Sequence, residues 1–133
     1  MRTLLLLSVV ALGGCAMTPQ ERAAAADRAA RDQSELQRSL AGLTPGETTD
    51  CLPSRQQSSL KAYGDKLVYR VSPRLAYVSN TAGGCENVAR GDILVTRSNQ
   101  DRVCRGDIAT TVDQTSRIPT GSCAIGSFTV WRK

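Results

Sequence analysis

Histidine is absent from this chain of 133 residues. That removes the commonest general base, the usual metal ligand and any Ser-His-Asp arrangement. Aromatic side chains are scarce, with one Trp, one Phe and three Tyr, so recognition of nucleic acid by base stacking is not expected. Close cysteine pairs are missing too. Cys51, Cys85, Cys104 and Cys123 are spaced by 34, 19 and 19 residues, which argues against the C-x-x-C pairs of zinc sites and thiol oxidoreductases. No apolar run approaches the roughly 20 residues that a helix needs to cross a bilayer. Gly83-Gly84 lacks the downstream Lys and Ser/Thr of a phosphate-binding loop and reads as backbone freedom beside a cysteine. No cofactor or metal is therefore expected.

The carboxylates that remain are Glu86, Asp92, Asp101, Asp107 and Asp113. Paired carboxylates cleave glycosidic bonds in other proteins. Here Asp92, Asp101 and Asp107 stand beside Gly, Arg or turn residues, where Asp commonly accepts from backbone N–H groups. The chain is expected to be non-enzymatic, with a small Asp/Glu hydrolase as the lesser alternative.

What is present begins at the N-terminus. Met1-Arg2 carries a positive charge, Thr3 to Leu12 is almost wholly apolar around Leu4-Leu5-Leu6-Leu7, and Gly13-Gly14-Cys15 follows. A basic start, a run of about ten apolar residues and a small-residue exit form the layout of an export signal. Leu12-Gly13-Gly14-Cys15 resembles the bacterial lipobox, whose Cys becomes the acylated first residue of the mature chain. The resemblance implies a signal peptide over residues 1–14, a lipid-bearing Cys15 and an anchor in membrane lipid. Each buried methylene adds about 0.8 kcal/mol to such an anchor. Ala16 rather than Asp in the next position resembles an outer-membrane address, facing the periplasm.

Residues 15–50 read as a helical tether and linker. Thr18, Pro19 and Glu21 match a capping box with Pro in the first turn. Ala23 to Ala26, Ala29 and Ala30 favour helix. Leu36, Leu40 and Leu43 fall at i, i+4 and i+7 and form a short apolar stripe, which either docks on a partner surface or belongs to a free spacer. Gly42 offers a stop and Thr44-Pro45-Gly46 blocks continuation. Gly46 to Asp50 reads as a linker, which places a domain boundary near residue 50.

From Cys51 the pattern changes to period-two alternation. Leu67, Tyr69 and Val71 share a face, as do Leu75 and Tyr77. Ile93 and Val95 alternate with Asp92 and Thr96, Ile108, Thr110 and Val112 follow, and Phe128 and Val130 close the chain beside Trp131. These are strand signals. Gly64-Asp65 fits a two-residue hairpin, Ser72-Pro73 and Ser98 to Asp101 break later pairs, and Arg117 to Gly121 reads as a longer loop. About six short antiparallel strands over residues 51–133 predict an all-β small barrel or sandwich. So small a core needs covalent help. Outside the cytoplasm, Cys51, Cys85, Cys104 and Cys123 are expected to form two structural disulfides. Of the three pairings, Cys51–Cys123 and Cys85–Cys104 are the expected ones.

Three stretches carry a resemblance. They are Cys85 followed by Arg90-Gly91-Asp92, then Arg102-Val103-Cys104-Arg105-Gly106-Asp107-Ile108, then Gly121-Ser122-Cys123-Ala124-Ile125-Gly126-Ser127-Phe128. Together they resemble a family of small proteobacterial exported proteins whose common domain has no assigned activity. The resemblance covers roughly residues 50–130. It implies a shared β fold and shared cysteines, and no catalytic residues. The Ala-rich helix is not part of it.

Charge separates along the chain. Residues 16–50 hold four arginines and six acidic residues, net −2, whereas residues 51–133 hold twelve basic and six acidic residues, net +6. A basic domain near a membrane suits an acidic envelope protein or an anionic envelope polymer. Arg70, Arg74, Arg102 and Arg105, with Arg97, are the candidate contact residues. The expected function is that of a binding or adaptor module of the cell envelope, with a structural accessory subunit of an envelope complex as the alternative. A lysozyme inhibitor is disfavoured, because lysozymes are typically basic and like charge steers such partners apart.

Overall fold

The computed structural model describes residues 17–54 and 58–133. Helix α1 spans Pro19–Ser39. It starts as the sequence dictates: the Glu21 N–H donates to Thr18 Oγ1 at 3.2 Å and the Thr18 N–H donates to Glu21 Oε2 at 2.7 Å. These reciprocal bonds satisfy helix N–H groups that have no intrahelical partner, and they hold the Glu21 carboxyl below the usual range. Leu36, Leu40 and Leu43 are buried against Tyr63, Val68, Ala76 and Val78, with Trp131 alongside. The stripe therefore docks. The Ala-rich first half of α1 stays almost entirely exposed.

Seven strands form one antiparallel sheet: β1 Thr44–Thr49, β2 Ser59–Tyr63, β3 Lys66–Ser72, β4 Leu75–Thr81, β5 Ile93–Arg97, β6 Ile108–Val112 and β7 Pro119–Arg132. The order is β2-β3-β4-β7-β6-β5, with β1 also on β7, and the sheet curls into a half-barrel. The expected disulfide-stabilised β class is thus realised. The β2–β3 hairpin turns at Gly64-Asp65 as read. Strand β7, of 14 residues, is the spine. Its C-terminal half pairs with β4 from Ile125 to Arg132, and its N-terminal half pairs with β6 from Pro119 to Ala124. Because β7 already begins at Pro119, the loop expected to run to Gly121 ends earlier.

Residues 46–50 are not a linker. Most of them belong to β1, which pairs with β7 at Thr44↔Arg132, Pro45↔Trp131, Thr48↔Thr129 and Thr49↔Phe128. Pro45 is tolerated because β1 has a strand on one side only, and the register shifts before Thr48. The Thr44 hydroxyl donates to the Arg132 carbonyl at 3.1 Å, and Arg132 pairs with Glu47 at 3.3 Å. The boundary expected near residue 50 moves with it: the strand before it lies in the sheet, and the helix before that covers the sheet's convex face.

The disulfide pairing also differs from expectation. Cys51 bonds Cys104, and Cys85 bonds Cys123. The topology explains both. Strands β1 and β6 lie along successive stretches of β7, so Cys51, after β1, meets Cys104, before β6, as an antiparallel bridge. The Leu52 N–H donates to the Val103 carbonyl at 2.8 Å and the Arg105 N–H to the Asp50 carbonyl. Cys123 faces inward from β7, opposite Ala109, and the chain leaving β4 brings Cys85 to it. Gly84 permits this crossing: a Cβ there would lie 2.1 Å from the Ser122 carbonyl oxygen.

The concave face holds the larger core, made by Leu67, Tyr69, Tyr77, Ile125, Phe128 and Val130 around Cys85–Cys123. Each large apolar side chain contributes about 1.5–3 kcal/mol by leaving water. Tyr69 and Phe128 meet edge to face with centroids 5.7 Å apart. Burial pushes the Tyr69 phenol up to about 12. The neutral form is thus favoured in the folded state, so this contribution to stability is intact below the unfolded value near pH 10 and is lost as pH rises towards about 12. The expected loss is on the order of 2 kcal/mol. Denaturant unfolding at stepped alkaline pH should show this fall in the native chain, and show it reduced in Tyr69→Phe.

Candidate functional site

The arginines singled out by sequence do not make one patch. The Arg70 guanidinium donates to the Ser39 carbonyl and lies 3.4 Å from the Ser39 hydroxyl, so it closes the C-terminal end of α1 onto β3. A cation there also suits the negative end of the helix dipole. Arg74 is exposed in the turn between β3 and β4. Arg105 pairs with Asp50 at 3.2 Å across the Cys51–Cys104 bridge. Arg102 is exposed three residues earlier, at the edge of a cavity.

The acidic residues each have a local partner or an exposed place. Asp113 accepts from the Thr115 and Ser116 N–H groups and the Ser116 hydroxyl, which holds its carboxyl below the ordinary value. Asp107 accepts from the Cys104 N–H at 2.8 Å. Glu86 accepts from the Gly84 N–H, and Asp92 accepts from the Thr120 hydroxyl. Asp101 is exposed beside Arg102. Among the described residues no cluster of three or more Cys, Asp or Glu side chains could hold a metal, and no helix is long and apolar enough to cross a membrane.

The feature that stands out lies on the β5–β6 hairpin. The alternation of Ile93 with Val95 is present, but it faces outward. Leu94 turns towards the core with Ala109 and Thr111, both of which have no exposed surface. Period-two alternation groups residues by face without saying which face is wet. Here the small Ala109, Thr111 and Cys123 fill the narrow interior beneath the hairpin, and the large branched residues are left outside. Ile93 is 39% exposed, Val95 45% and Ile108 53%, and Ile118 at the adjoining turn is 61% exposed.

Register puts these groups together. Ile93 lies opposite Val112, Val95 opposite Thr110 and Arg97 opposite Ile108, and cross-strand partners share a face. The result is an apolar strip with Arg97 at one end. Strand β5 ends the sheet order and, among the described residues, pairs only with β6. Its outer edge therefore offers unpaired backbone N–H and C=O groups next to exposed branched side chains. Soluble domains usually blunt such edges, and exposed apolar patches mark interaction sites.

Sequence reasoning named Arg97 here but missed the strip, since an apolar strand face is ordinarily a core face. The signal available was Leu94, which makes β5 apolar on both sides. No family model, curated protein or solved structure matches the chain.

Proposed function

We propose that this chain is a lipid-anchored, non-enzymatic binding module of the cell envelope, which docks an extended segment of an envelope protein along β5. The observation that carries the reading is the β5 edge, unpaired among the described residues, beside exposed Ile93, Val95 and Ile108. Addition of a strand to an open edge supplies main-chain hydrogen bonds for affinity and side-chain contacts for specificity. The net charge of +6 over residues 51–133 and the position of Arg97 favour an acidic and apolar segment.

The anchor half of the proposal rests on Leu12-Gly13-Gly14-Cys15, which lies outside the described residues. Export, cleavage before Cys15 and acylation would hold the domain at the periplasmic face of the outer membrane. Residues 19–24 of α1 precede the stretch that lies beside the β2–β3 turn and would span about 9 Å at 1.5 Å per residue. That length sets the sheet away from the lipid surface and leaves β5 accessible to a neighbour.

One experiment tests both halves. The full chain is produced in cells fed a palmitate analogue, with a photocrosslinker at position 95 or, as a control, at Lys61 on the distant strand β2. Labelling should vanish with Cys15→Ser. Position 95 should give a discrete protein adduct that Ile108→Asp abolishes, with an extended acidic segment in the crosslinked peptide, and position 61 should not. Label indifferent to Cys15→Ser would sink the anchor. Crosslinking to lipid or envelope polymer alone, or equally from both positions, would sink the protein-docking face.

A further inference from the structure

Helix α1 covers only part of the convex face. Its leucines pack on Tyr63 of β2, Val68 of β3, and Ala76 and Val78 of β4. Where the helix gives way to β7, a cavity of about 520 Å³ remains. Trp131, the only tryptophan of the chain, lines it. The ring is half-buried: it packs on the leucine cluster and contributes the rest of its surface to the cavity. Ala76 is the cross-strand partner of Trp131, and Val78 that of Thr129. Cross-strand partners share a face, so Thr129 extends the floor beside the ring.

The polar groups around this ring are of one kind. Gln33 and Gln37 are four residues apart on α1 and therefore share one flank of the helix. Asn80 and Thr129 join them from the sheet. The three amides are exposed and Thr129 is half-buried. Each of these side chains carries a donor and an acceptor together. Lys66 is the one charged residue among the described residues of the lining, and Asp65 pairs with it at 3.1 Å.

We propose that this cavity binds a short neutral oligosaccharide built of pyranose rings. Size sets the first limit: the volume falls inside the roughly 300–1,000 Å³ of small-molecule sites. Shape sets the second. A pyranose ring has a face of C–H groups and a rim of hydroxyls, and its C–H face rests on the indole of Trp131 as other apolar surfaces rest on aromatic rings. Polarity sets the third. Sugar hydroxyls both donate and accept, and the amides of Gln33, Gln37 and Asn80 answer them in both senses. An acyl chain in the same place would strip those amides of water without replacing its hydrogen bonds. Charge sets the fourth. With Lys66 paired to Asp65, the lining offers an ionised ligand no free counter-charge. The cavity lies against the C-terminal half of β7, whereas the β5–β6 hairpin joins its N-terminal half, and neither proposal needs the other.

The test uses the single tryptophan as its own reporter. The full chain, reconstituted in phosphatidylcholine vesicles, is titrated with cellotriose, triacetylchitotriose, sorbitol and octanoate while Trp131 emission is followed. A saturable shift to shorter wavelength is expected with at least one of the two oligosaccharides, and none with sorbitol, which has the hydroxyls without the ring face. Gln37→Ala should weaken that oligosaccharide about fivefold to tenfold, as loss of one hydrogen bond implies. Alanine suits an exposed helix position, so the fold is kept, and Gln20→Ala at the far end of α1 should leave binding unchanged. By calorimetry, Trp131→Leu should weaken it about threefold to tenfold, as loss of an aromatic contact implies. No saturable response to either oligosaccharide would overturn the proposal. So would a response to octanoate alone, an equal response to sorbitol, or oligosaccharide affinity unchanged in a Gln33→Ala/Gln37→Ala double variant. Crosslinking from position 95 should be unaffected by Gln37→Ala, so failure of one site is read separately from failure of the other.

Discussion

Replacing Cys85 and Cys123 together by alanine is expected to lower the free energy of unfolding by about 4 kcal/mol or more. The bond closes a loop with a sequence separation of 38 residues. On the chain-entropy account a loop of that length contributes about 4 kcal/mol through the unfolded state. The packing loss adds to it. Cys85 is 2% exposed and Cys123 5%, both inside the larger core, so alanine leaves space among Ala109, Ile125 and their neighbours that a rigid interior fills poorly. Small domains have only about 5–15 kcal/mol in total. The Cys51–Cys104 bond closes a loop of similar entropic weight, with a separation of 53. Cys51, however, is only half buried, and the flanking Leu52–Val103 and Asp50–Arg105 backbone bonds keep the two segments aligned without it. Denaturant unfolding of the two double variants should therefore rank Cys85/Cys123→Ala as the more damaged. The reverse ranking would mean that the staple joining β1 to β6, rather than the core bond, holds the half-barrel together. Peptide mapping without reductant should recover Cys51 with Cys104 and never with Cys123.

The parts of this fold that were legible in the sequence are those fixed by neighbours. Thr18 and Glu21 announce the helix start, and Leu36, Leu40 and Leu43 its buried face. Gly64-Asp65 marks the tightest hairpin, and alternation marks most of the strands. Four distant cysteines announce structural bonds. What was not legible depends on residues far apart in sequence. Strand β1 looks like a linker because Pro45-Gly46 carries turn chemistry, and only its place along β7 makes it a strand. The disulfide partners follow from β1 and β6 sharing β7, which no spacing of cysteines encodes. The same holds for function. Arg70 reads as a surface contact and serves as a clamp on α1, while the outward strip of Ile93 and Val95 becomes visible only when the sheet curls.

Strand β7 concentrates these long-range dependencies. It carries Cys123, pairs with three other strands and is crossed by the chain at Gly84. Damage there cannot be absorbed locally, because a shift of β7 propagates to β1, β4 and β6 at once.

Gly84→Ala is accordingly expected to cost about 3 kcal/mol or more, against about 1–2 kcal/mol for Gly91→Ala. The two glycines share a left-handed backbone, with φ of +92° and +104°, so the dihedral penalty is common to both. They differ in what a methyl group meets. At Gly91 there is nothing within 4 Å, whereas at Gly84 the new carbon would lie 2.1 Å from the Ser122 carbonyl oxygen and 3.1 Å from its carbon. Both atoms are backbone, so no side-chain rotation relieves the contact, and the strand itself must move. It is not free to move, because Cys85 is bonded to Cys123, the residue after Ser122. Either β7 is displaced from β6 or the disulfide fails to close. Thiol titration of the two variants, together with their denaturant midpoints, separates these outcomes. Free thiols in Gly84→Ala alone would show that the crossing must fit before the bond can form. A lowered midpoint with both disulfides intact would show that the bond forms first and the sheet bears the strain. Equal midpoints for Gly84→Ala and Gly91→Ala would show that the close approach is not a constraint on the fold.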